Sequence, residues 1–139
     1  MVNRIYVDTN IFIDLLDITR PSSKVSLQII KDALGASSEL YINSDTVTNS
    51  YYVLSRSKKY EYHTLLQLFQ KVVSLFSVVP VENRQVMEAL QVCLDEATKF
   101  CDYEDALQYI CAKKIGADRI LTNDKGFISP DIDLLAAQQ

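Results

Sequence analysis

The sequence predicts a single α/β domain over residues 1–139, built in three layers as a central parallel β-sheet of about four to five strands flanked by helices. Three observations lead to this prediction. Short apolar segments recur along the chain, helix-like segments separate them, and no repeat, linker or change of composition divides the chain. Strands joined through helices run parallel, because each helix returns the chain to the same edge of the sheet.

The predicted strands are short apolar runs that end at polar or turn-forming residues. Pro80 has no backbone N–H, so the run that contains it is expected at an edge of the sheet. In chain order, the predicted strands are Arg4–Val7, Glu39–Asn43, Ser77–Val81, Arg119–Thr122 and a short edge strand within residues 131–135.

Helices are predicted where apolar residues recur at helical spacing between these strands. Ser22 or Ser23, Ser44 and Asn83 are suitable N-caps, and Gly35 and Gly116 are suitable C-terminal stops. The predicted helices are a stretch through Leu16, a helix ending at Gly35, one from Ser44 through Leu54, and three at about 61–76, 83–97 and 102–116. The second is expected to bury Val25, Ile29, Ala33 and Leu34, and the fifth Val86, Leu90, Cys93, Leu94 and Ala97.

Composition and charge exclude several classes of protein. The net charge is −4 and the pI is about 4.9, which disfavours nucleic-acid binding through a large basic surface. No apolar run approaches the ~20 residues of a membrane span, and no signal-peptide pattern is present, so we expect a cytoplasmic protein with no membrane partner. The three cysteines include no CxxC pair and are expected to be reduced thiols.

Four acidic residues from three separate segments are predicted to meet at one edge of the sheet. Asp8 follows the first strand, and Asp124 lies two residues beyond the fourth. Asp102 and Asp105 open a helix that runs antiparallel to the strands, so its N-terminus lies at the carboxyl edge, where ligands bind in such sheets. Two carboxylates ~5 Å apart repel by about 3 kcal/mol at an effective dielectric constant near 20. A cap or solubilising role accounts for any one of these acids more easily than for all together.

A divalent cation would relieve this repulsion. Carboxylate ligands without clustered histidine or cysteine favour Mg²⁺ or Mn²⁺ over Zn²⁺. Carboxylate-bound Mg²⁺ or Mn²⁺ most often serves phosphate chemistry, in which the metal activates water and stabilises charge on the phosphoryl oxygens. The acids therefore predict a metal-dependent reaction on a phosphate ester.

Three segments of the sequence resemble the PIN domain family, the fold of VapC-type toxin ribonucleases. They are VDTNIFIDLL (residues 7–16), DYEDALQYICAKKIGAD (102–118) and ILTNDKGF (120–127). The resemblance implies a metal-dependent endoribonuclease that leaves a 5′-phosphate and a 3′-hydroxyl, with RNA as substrate, a small antitoxin protein as partner and a homodimeric state.

The resemblance also implies roles for particular residues. The catalytic acids of the family fall on Asp8, Asp105 and Asp124, which would also bind the metal, and Asp102 resembles an accessory acid of that cluster. Asn10 and Thr122 match two supporting positions of the family. The side chains at these positions hold the first acid and the adjoining loop in place by hydrogen bonding.

One position departs from the family pattern. The helix after the second strand usually carries a glutamate in a pattern resembling VxxELxxVL, and here VTNSYYVLSR (47–56) aligns Ser50 with that glutamate. Asn49 and Ser50 can hold a metal-bound water, but neither supplies negative charge. Asp45 lies about one turn earlier, which is too far to take the place of that glutamate. Loss of one carboxylate should weaken metal binding.

Two other functions remain open at this point. A catalytically weakened PIN-like module that binds RNA or protein would explain the missing acid, and activity on RNA separates it from a nuclease. A phosphoryl-transfer enzyme with Asp8 as nucleophile, similar to haloacid dehalogenases, would usually have a second aspartate two residues later, where this chain has Asn10. A covalent phosphate on Asp8 would identify that class.

Overall fold

The computed structural model describes residues 2–136 and contains one parallel β-sheet within that range. The strand order is β3-β2-β1-β4-β5, so the first strand is central and pairs in parallel with both the second and the fourth. The strands are β1 (Arg4–Val7), β2 (Glu39–Asn43), β3 (Ser77–Val79), β4 (Arg119–Thr122) and β5 (Asp133–Ala136). The predicted all-parallel α/β class is confirmed.

Helices cover both faces of this sheet. They are α1 (Thr9–Leu16), α2 (Ser23–Gly35), α3 (Ser44–Arg56), α4 (Tyr62–Val73), α5 (Asn83–Leu94) and α6 (Tyr103–Lys114), with a short 3₁₀ turn at Glu96–Thr98. No helix among residues 2–136 has the length and apolar character needed to cross a membrane.

The alternation of side chains along β1 separates two hydrophobic cores. Ile5 and Val7 pack into one core with residues of α1–α4, whereas Tyr6, between them, packs into the other core with α5 and α6. In the neighbouring strand β4, Leu121 packs into the first of these cores and Ile120 into the second. Because successive side chains of a strand point to opposite faces, a four-residue apolar strand anchors both helical layers.

The third strand and the helix before it are shorter than predicted. Helix α4 ends at Val73, where Leu75 and Phe76 donate backbone hydrogen bonds in a turn, and Phe76 lies outside the helix. Strand β3 ends at Val79, and Pro80 follows it. This strand lies at the edge of the sheet, as the proline predicted.

Two predicted helix faces are wrong in part. In α2, Leu34 is 38% exposed, while Ile30 and Ser26 are buried. In α5, Leu90 and Leu94 are exposed. The buried side chains of α5 are Gln85 and Ala89, and Ala89 packs into the core that also contains residues of α6.

Two predicted caps are displaced by one residue. Asn43 Oδ1 accepts a 2.8 Å hydrogen bond from the Thr46 N–H, so Asn43 rather than Ser44 caps α3. Helix α5 is preceded by Glu82, whose N–H donates to Gln85 Oε1 at 2.9 Å. In both cases the cap is the extended residue before the first helical one.

Candidate active site at the carboxyl edge of the sheet

Asp8 is a buried carboxylate at the end of the central strand. It follows Val7 directly and is only 3% exposed. Its backbone N–H continues the sheet pairing to the Leu121 carbonyl at 2.9 Å, which fixes its position beside the end of β4. Asp8 occupies the N-cap position of α1, but its side chain makes no capping hydrogen bond. The carboxylate is therefore directed to other partners.

Both oxygens of Asp8 accept hydrogen bonds from neighbouring elements. Gln108 Nε2, on α6, donates to Oδ1 at 2.9 Å, and Thr122 Oγ1, at the end of β4, donates to Oδ2 at 2.7 Å. Burial raises the pKa of Asp8, and the bonds from Thr122 and Gln108 oppose this rise because they favour the charged form. The carboxylate is thus held in one orientation by groups that stabilise its ionised state.

Gln108 and Thr122 also connect Asp8 to the rest of the site. Gln108, itself buried, accepts a 3.1 Å hydrogen bond from the Thr9 N–H through Oε1. Thr122 Oγ1 accepts a 3.0 Å hydrogen bond from the Asp124 N–H. The same threonine therefore orients the first acid and the loop that carries the last one.

Asp105 lies in the first turn of α6, at the same edge. Its N–H donates to Asp102 Oδ1 at 3.0 Å, so Asp102 is the N-cap of α6. Burial is the largest cause that raises the pKa of Asp105 to about 7, and the charges of Asp102, Asp8, Asp124 and Glu104 contribute to the same rise. Four carboxylates are thus close enough to disfavour the ionised form of Asp105.

Asp124 lies on the exposed loop after β4. Its Oδ1 accepts a 2.8 Å hydrogen bond from the Gly126 N–H, and its carbonyl accepts one from the Phe127 N–H at 3.1 Å. Its charge raises the pKa of both Asp8 and Asp105, which places it in their electrostatic neighbourhood. The structure therefore brings all four predicted acids to one edge.

Glu104 joins this edge to α3. Its Oε2 accepts hydrogen bonds from Asn49 Nδ2 at 3.1 Å and from Thr9 Oγ1 at 3.4 Å. Thr9 Oγ1 in turn lies 2.9 Å from Thr46 Oγ1 on α3. The first turn of α6, the start of α1 and one face of α3 thus meet beside Asp8.

Two of the predicted supporting residues lie differently from expectation. Ser50 is fully buried on the face of α3 that carries Thr46 and Leu54, and its Oγ has no hydrogen-bond partner in residues 2–136. Its neighbour Asn49 carries the side chain that reaches the acids. Asn10 is exposed and takes no part in the side-chain hydrogen bonds of residues 2–136, so the ordering of Asp8 that was expected of it comes from Gln108.

Sequence reasoning missed Gln108 and Glu104. Gln108 lies about one turn after Asp105, within the buried run from Ala106 to Ala112. It is the residue of that run whose side chain donates a hydrogen bond to Asp8. An amide in an otherwise apolar helical segment is a usable signal, because a buried polar group needs a partner. Glu104 offered no such signal, since an acid in a first helical turn is commonplace.

The donor atoms at this edge suit a hard divalent cation. All are carboxylate oxygens, and no ion pair formed among residues 2–136 neutralises Asp8, Asp102, Glu104, Asp105 or Asp124. In the described part of the chain no three Asp, Glu, His or Cys side chains are grouped so as to hold one ion by themselves. Mg²⁺ commonly takes one or two protein carboxylates and completes its octahedron with water and substrate phosphate, so this arrangement still fits.

Comparison with known proteins identifies the class. The PIN domain family model matches residues 5–132, and the chain belongs to this family. It is 36% identical to Ribonuclease VapC1 of Aquifex aeolicus (strain VF5) over 136 residues, which is 98% of this chain and 92% of that relative.

Solved structures share the fold. VapBC2 of Rickettsia felis, bound to a DNA fragment from its promoter, has a TM-score of 0.70 at 18% identity and covers 96% of this chain and 98% of that one. VapC20 of Mycobacterium tuberculosis, described as a sarcin–ricin loop cleaving toxin, has a TM-score of 0.69 at 15% identity, with 88% and 92% coverage. The expected PIN-like architecture is therefore confirmed.

Proposed function

We propose that this protein is a divalent-metal-dependent endoribonuclease that hydrolyses RNA phosphodiesters and acts as the toxin of a toxin–antitoxin pair. The observation that carries the proposal is Asp8, a buried carboxylate held by Gln108 and Thr122 beside three further acids that form no ion pair with any of residues 2–136. The similarity to a protein named as a ribonuclease supports the choice of RNA as substrate.

In this proposal the acids have distinct tasks. Asp8, Asp105 and Asp124, with Asp102 as an accessory acid, would share one or two Mg²⁺ or Mn²⁺ ions, whose remaining ligands would be water and substrate phosphate. The bound metal would supply charge stabilisation for the phosphate and a more acidic water. Thr122 and Gln108 favour the ionised form of Asp8 and fix its orientation, and Thr122 also accepts the hydrogen bond that holds the Asp124 loop. The unbalanced negative charge also excludes RNA phosphates from the site until a cation has bound.

Cleavage of RNA by defined variants tests this proposal. Purified protein is incubated with end-labelled structured and unstructured RNAs with Mn²⁺ or Mg²⁺, with EDTA as a control. Asp8→Asn and Asp105→Asn are expected to fold and to lose cleavage. Asp32→Asn, on the exposed face of α2, is the matched control and should retain full activity. Cleavage that survives in EDTA or in Asp8→Asn would refute the metal-dependent mechanism.

A non-catalytic RNA- or protein-binding module is the second candidate. The uncharged side chain of Asn49 favours this binding module, because it is the α3 side chain that contacts Glu104 at the site. Folded, partner-free protein that binds these RNAs in Mn²⁺ without cleaving them would support this alternative. Introducing a glutamate at Ser50 is a poor discriminator, since a charge at that fully buried position would lack a partner.

The proposed partners rest on the comparisons. Structures of VapBC2 from Rickettsia felis and of VapBC from Salmonella typhimurium are described as bound to DNA. By analogy, we propose a small antitoxin that binds this chain and a homodimeric toxin. Sedimentation of the purified chain, alone and co-expressed with the product of an adjacent small open reading frame, measures both. A strictly monomeric chain would contradict the homodimer.

A further inference from the structure

We propose that Glu104 supplies, from the first turn of α6, a negative charge to the active site at the point where α3 presents the uncharged Asn49. This inference rests on the proposed metal-dependent function. It concerns a residue that the resemblance to the family does not assign, and it makes Glu104 a functional member of the site.

Asn49 on α3 and Glu104 on α6 are in direct contact. Asn49 Nδ2 lies 3.1 Å from Glu104 Oε2, so the α3 side chain that faces the site ends at a carboxylate contributed by another helix. The only acid of α3 is Asp45, in its first turn, about one turn before Asn49. The carboxylate that Asn49 contacts is therefore that of Glu104, from α6.

A contact from α1 also positions the Glu104 carboxylate. Thr9 Oγ1 donates to Glu104 Oε2 at 3.4 Å, and the Thr9 N–H is bonded to Gln108, which also holds Asp8. Thr9 is buried and directly follows Asp8 in sequence. Glu104 is thus tied to the residue next to the central acid, rather than extended freely into solvent.

Glu104 brings a charge as well as a hydrogen-bond acceptor to this edge. Glu104 neighbours Asp105 in sequence, and it pairs with no lysine or arginine among residues 2–136. An exposed glutamate whose role was only to bridge helices would be replaceable by glutamine, because a glutamine oxygen can accept the same bonds from Asn49 and Thr9. A glutamate needed for its charge would not be replaceable. This difference separates the two roles.

Binding of MnCl₂ alone, measured by titration calorimetry and by the electron paramagnetic resonance signal of free Mn²⁺, tests the inference without any turnover. Glu104→Gln is expected to raise the Kd for Mn²⁺ about tenfold, with little change in the unfolding temperature. Glu96→Gln, an exposed glutamate of the 3₁₀ turn outside the site, is the matched control and should bind Mn²⁺ as the wild type does.

A charge exchange across the contact provides the decisive variant. Asn49→Glu combined with Glu104→Gln returns the carboxylate to α3 and keeps an amide as its partner. This double variant should recover most of the Mn²⁺ affinity lost in Glu104→Gln. A purely structural role for Glu104 would not produce this recovery.

The outcomes separate this inference from the proposed function. If Asp8→Asn and Asp105→Asn weaken Mn²⁺ binding but Glu104→Gln does not, the site binds metal without Glu104 and the inference is overturned while the proposed function stands. If Asp8→Asn and Asp105→Asn both bind Mn²⁺ as tightly as the wild type, the metal site itself is refuted, and the inference with it.

Discussion

Thr122 Oγ1 donates a 2.7 Å hydrogen bond to Asp8 Oδ2 and accepts one from the Asp124 N–H at 3.0 Å. A single hydroxyl at the end of β4 thus orients an acid at the end of β1 and the loop that carries a second acid. The arrangement depends on the parallel pairing of the two strands, which sets Val7 against Leu121 and so places the next residues of both strands side by side.

Thr122→Val is expected to disturb both acids. Valine has a similar shape but no hydroxyl, so Asp8 Oδ2 and the Asp124 N–H lose their partner. Loss of a buried hydrogen bond costs about 1–3 kcal/mol of stability, and we expect cleavage to fall about tenfold through misorientation of Asp8. Thermal unfolding and RNA cleavage measure the two effects. Thr48→Val, at an exposed position of α3, is the control, and equal behaviour of the two variants would contradict the role of Thr122.

Gln108→Leu is expected to have a comparable effect from the opposite side of Asp8. Leucine fills the buried volume, but it leaves Asp8 Oδ1 and the Thr9 N–H without partners. Because both groups are buried, the free energy of unfolding should fall by about 2 kcal/mol, and cleavage should fall with it. The exposed Gln91→Leu in α5 provides the comparison in the same assays. A Gln108→Leu protein as active and stable as Gln91→Leu would show that Asp8 needs no support from α6.

The pKa of Asp105 predicts how the metal-free protein responds to pH. Folding raises this pKa from 3.8 to about 7, so the folded state favours the protonated carboxyl. Stability from this group is therefore present at acidic pH and is lost as pH rises through about 7. In EDTA, Asp105→Asn should unfold at a higher temperature than the wild type at about pH 8, and the difference should vanish near pH 4.

Saturating Mn²⁺ should reverse the order of these two proteins. The wild type gains stability by binding the ion, whereas Asp105→Asn gains less because one carboxylate is missing. Unfolding temperatures at two pH values, with and without Mn²⁺, complete the test. If Asp105→Asn is no more stable than the wild type in EDTA at alkaline pH, the raised pKa is wrong.

Substitution of Asp14, which lies outside the candidate site, is expected to reduce stability strongly. Its carboxylate is fully buried in α1, where it accepts hydrogen bonds from Arg20 Nε at 2.7 Å and from Ser26 Oγ at 2.5 Å. Asp14→Ala leaves Arg20 without its partner and should reduce the free energy of unfolding by about 3 kcal/mol. Asp32→Ala, at an exposed position of α2, should change it by less than about 0.5 kcal/mol. Denaturant unfolding measures both, and a cost below about 1 kcal/mol for Asp14→Ala would contradict a structural role for the pair.

The strands and the meeting of the acids could be predicted from sequence because both depend on chain order. Arg4–Val7, Glu39–Asn43 and Arg119–Thr122 form strands with the predicted bounds. An acid that follows a strand of a parallel sheet lies at its carboxyl edge wherever the strand pairs. The positions of Asp8 and Asp124 follow from this rule.

The orientation of helices could be predicted less well. In α5 the apolar residues Leu90 and Leu94 satisfy a helical stripe, yet both are exposed, and the buried residues are Gln85 and Ala89. Periodicity indicates that a helix has an apolar face, but the partner helix and the space between the two decide which face is buried.

The sequence by itself determined the family, the parallel α/β class and the segments that carry the acids, since these depend on local patterns and on the direction of the chain. Only the tertiary structure decided that Gln108 and Glu104 join the acids. Gln108 holds Asp8 from 100 residues away, and Glu104 meets Asn49 across 55 residues. Such contacts depend on the rotation of α6 and α3 about their own axes. Ser50 and Asn49 are adjacent in α3, yet Ser50 is buried and Asn49 contacts Glu104. Packing of helices against the sheet sets that rotation, and no local sequence pattern encodes it.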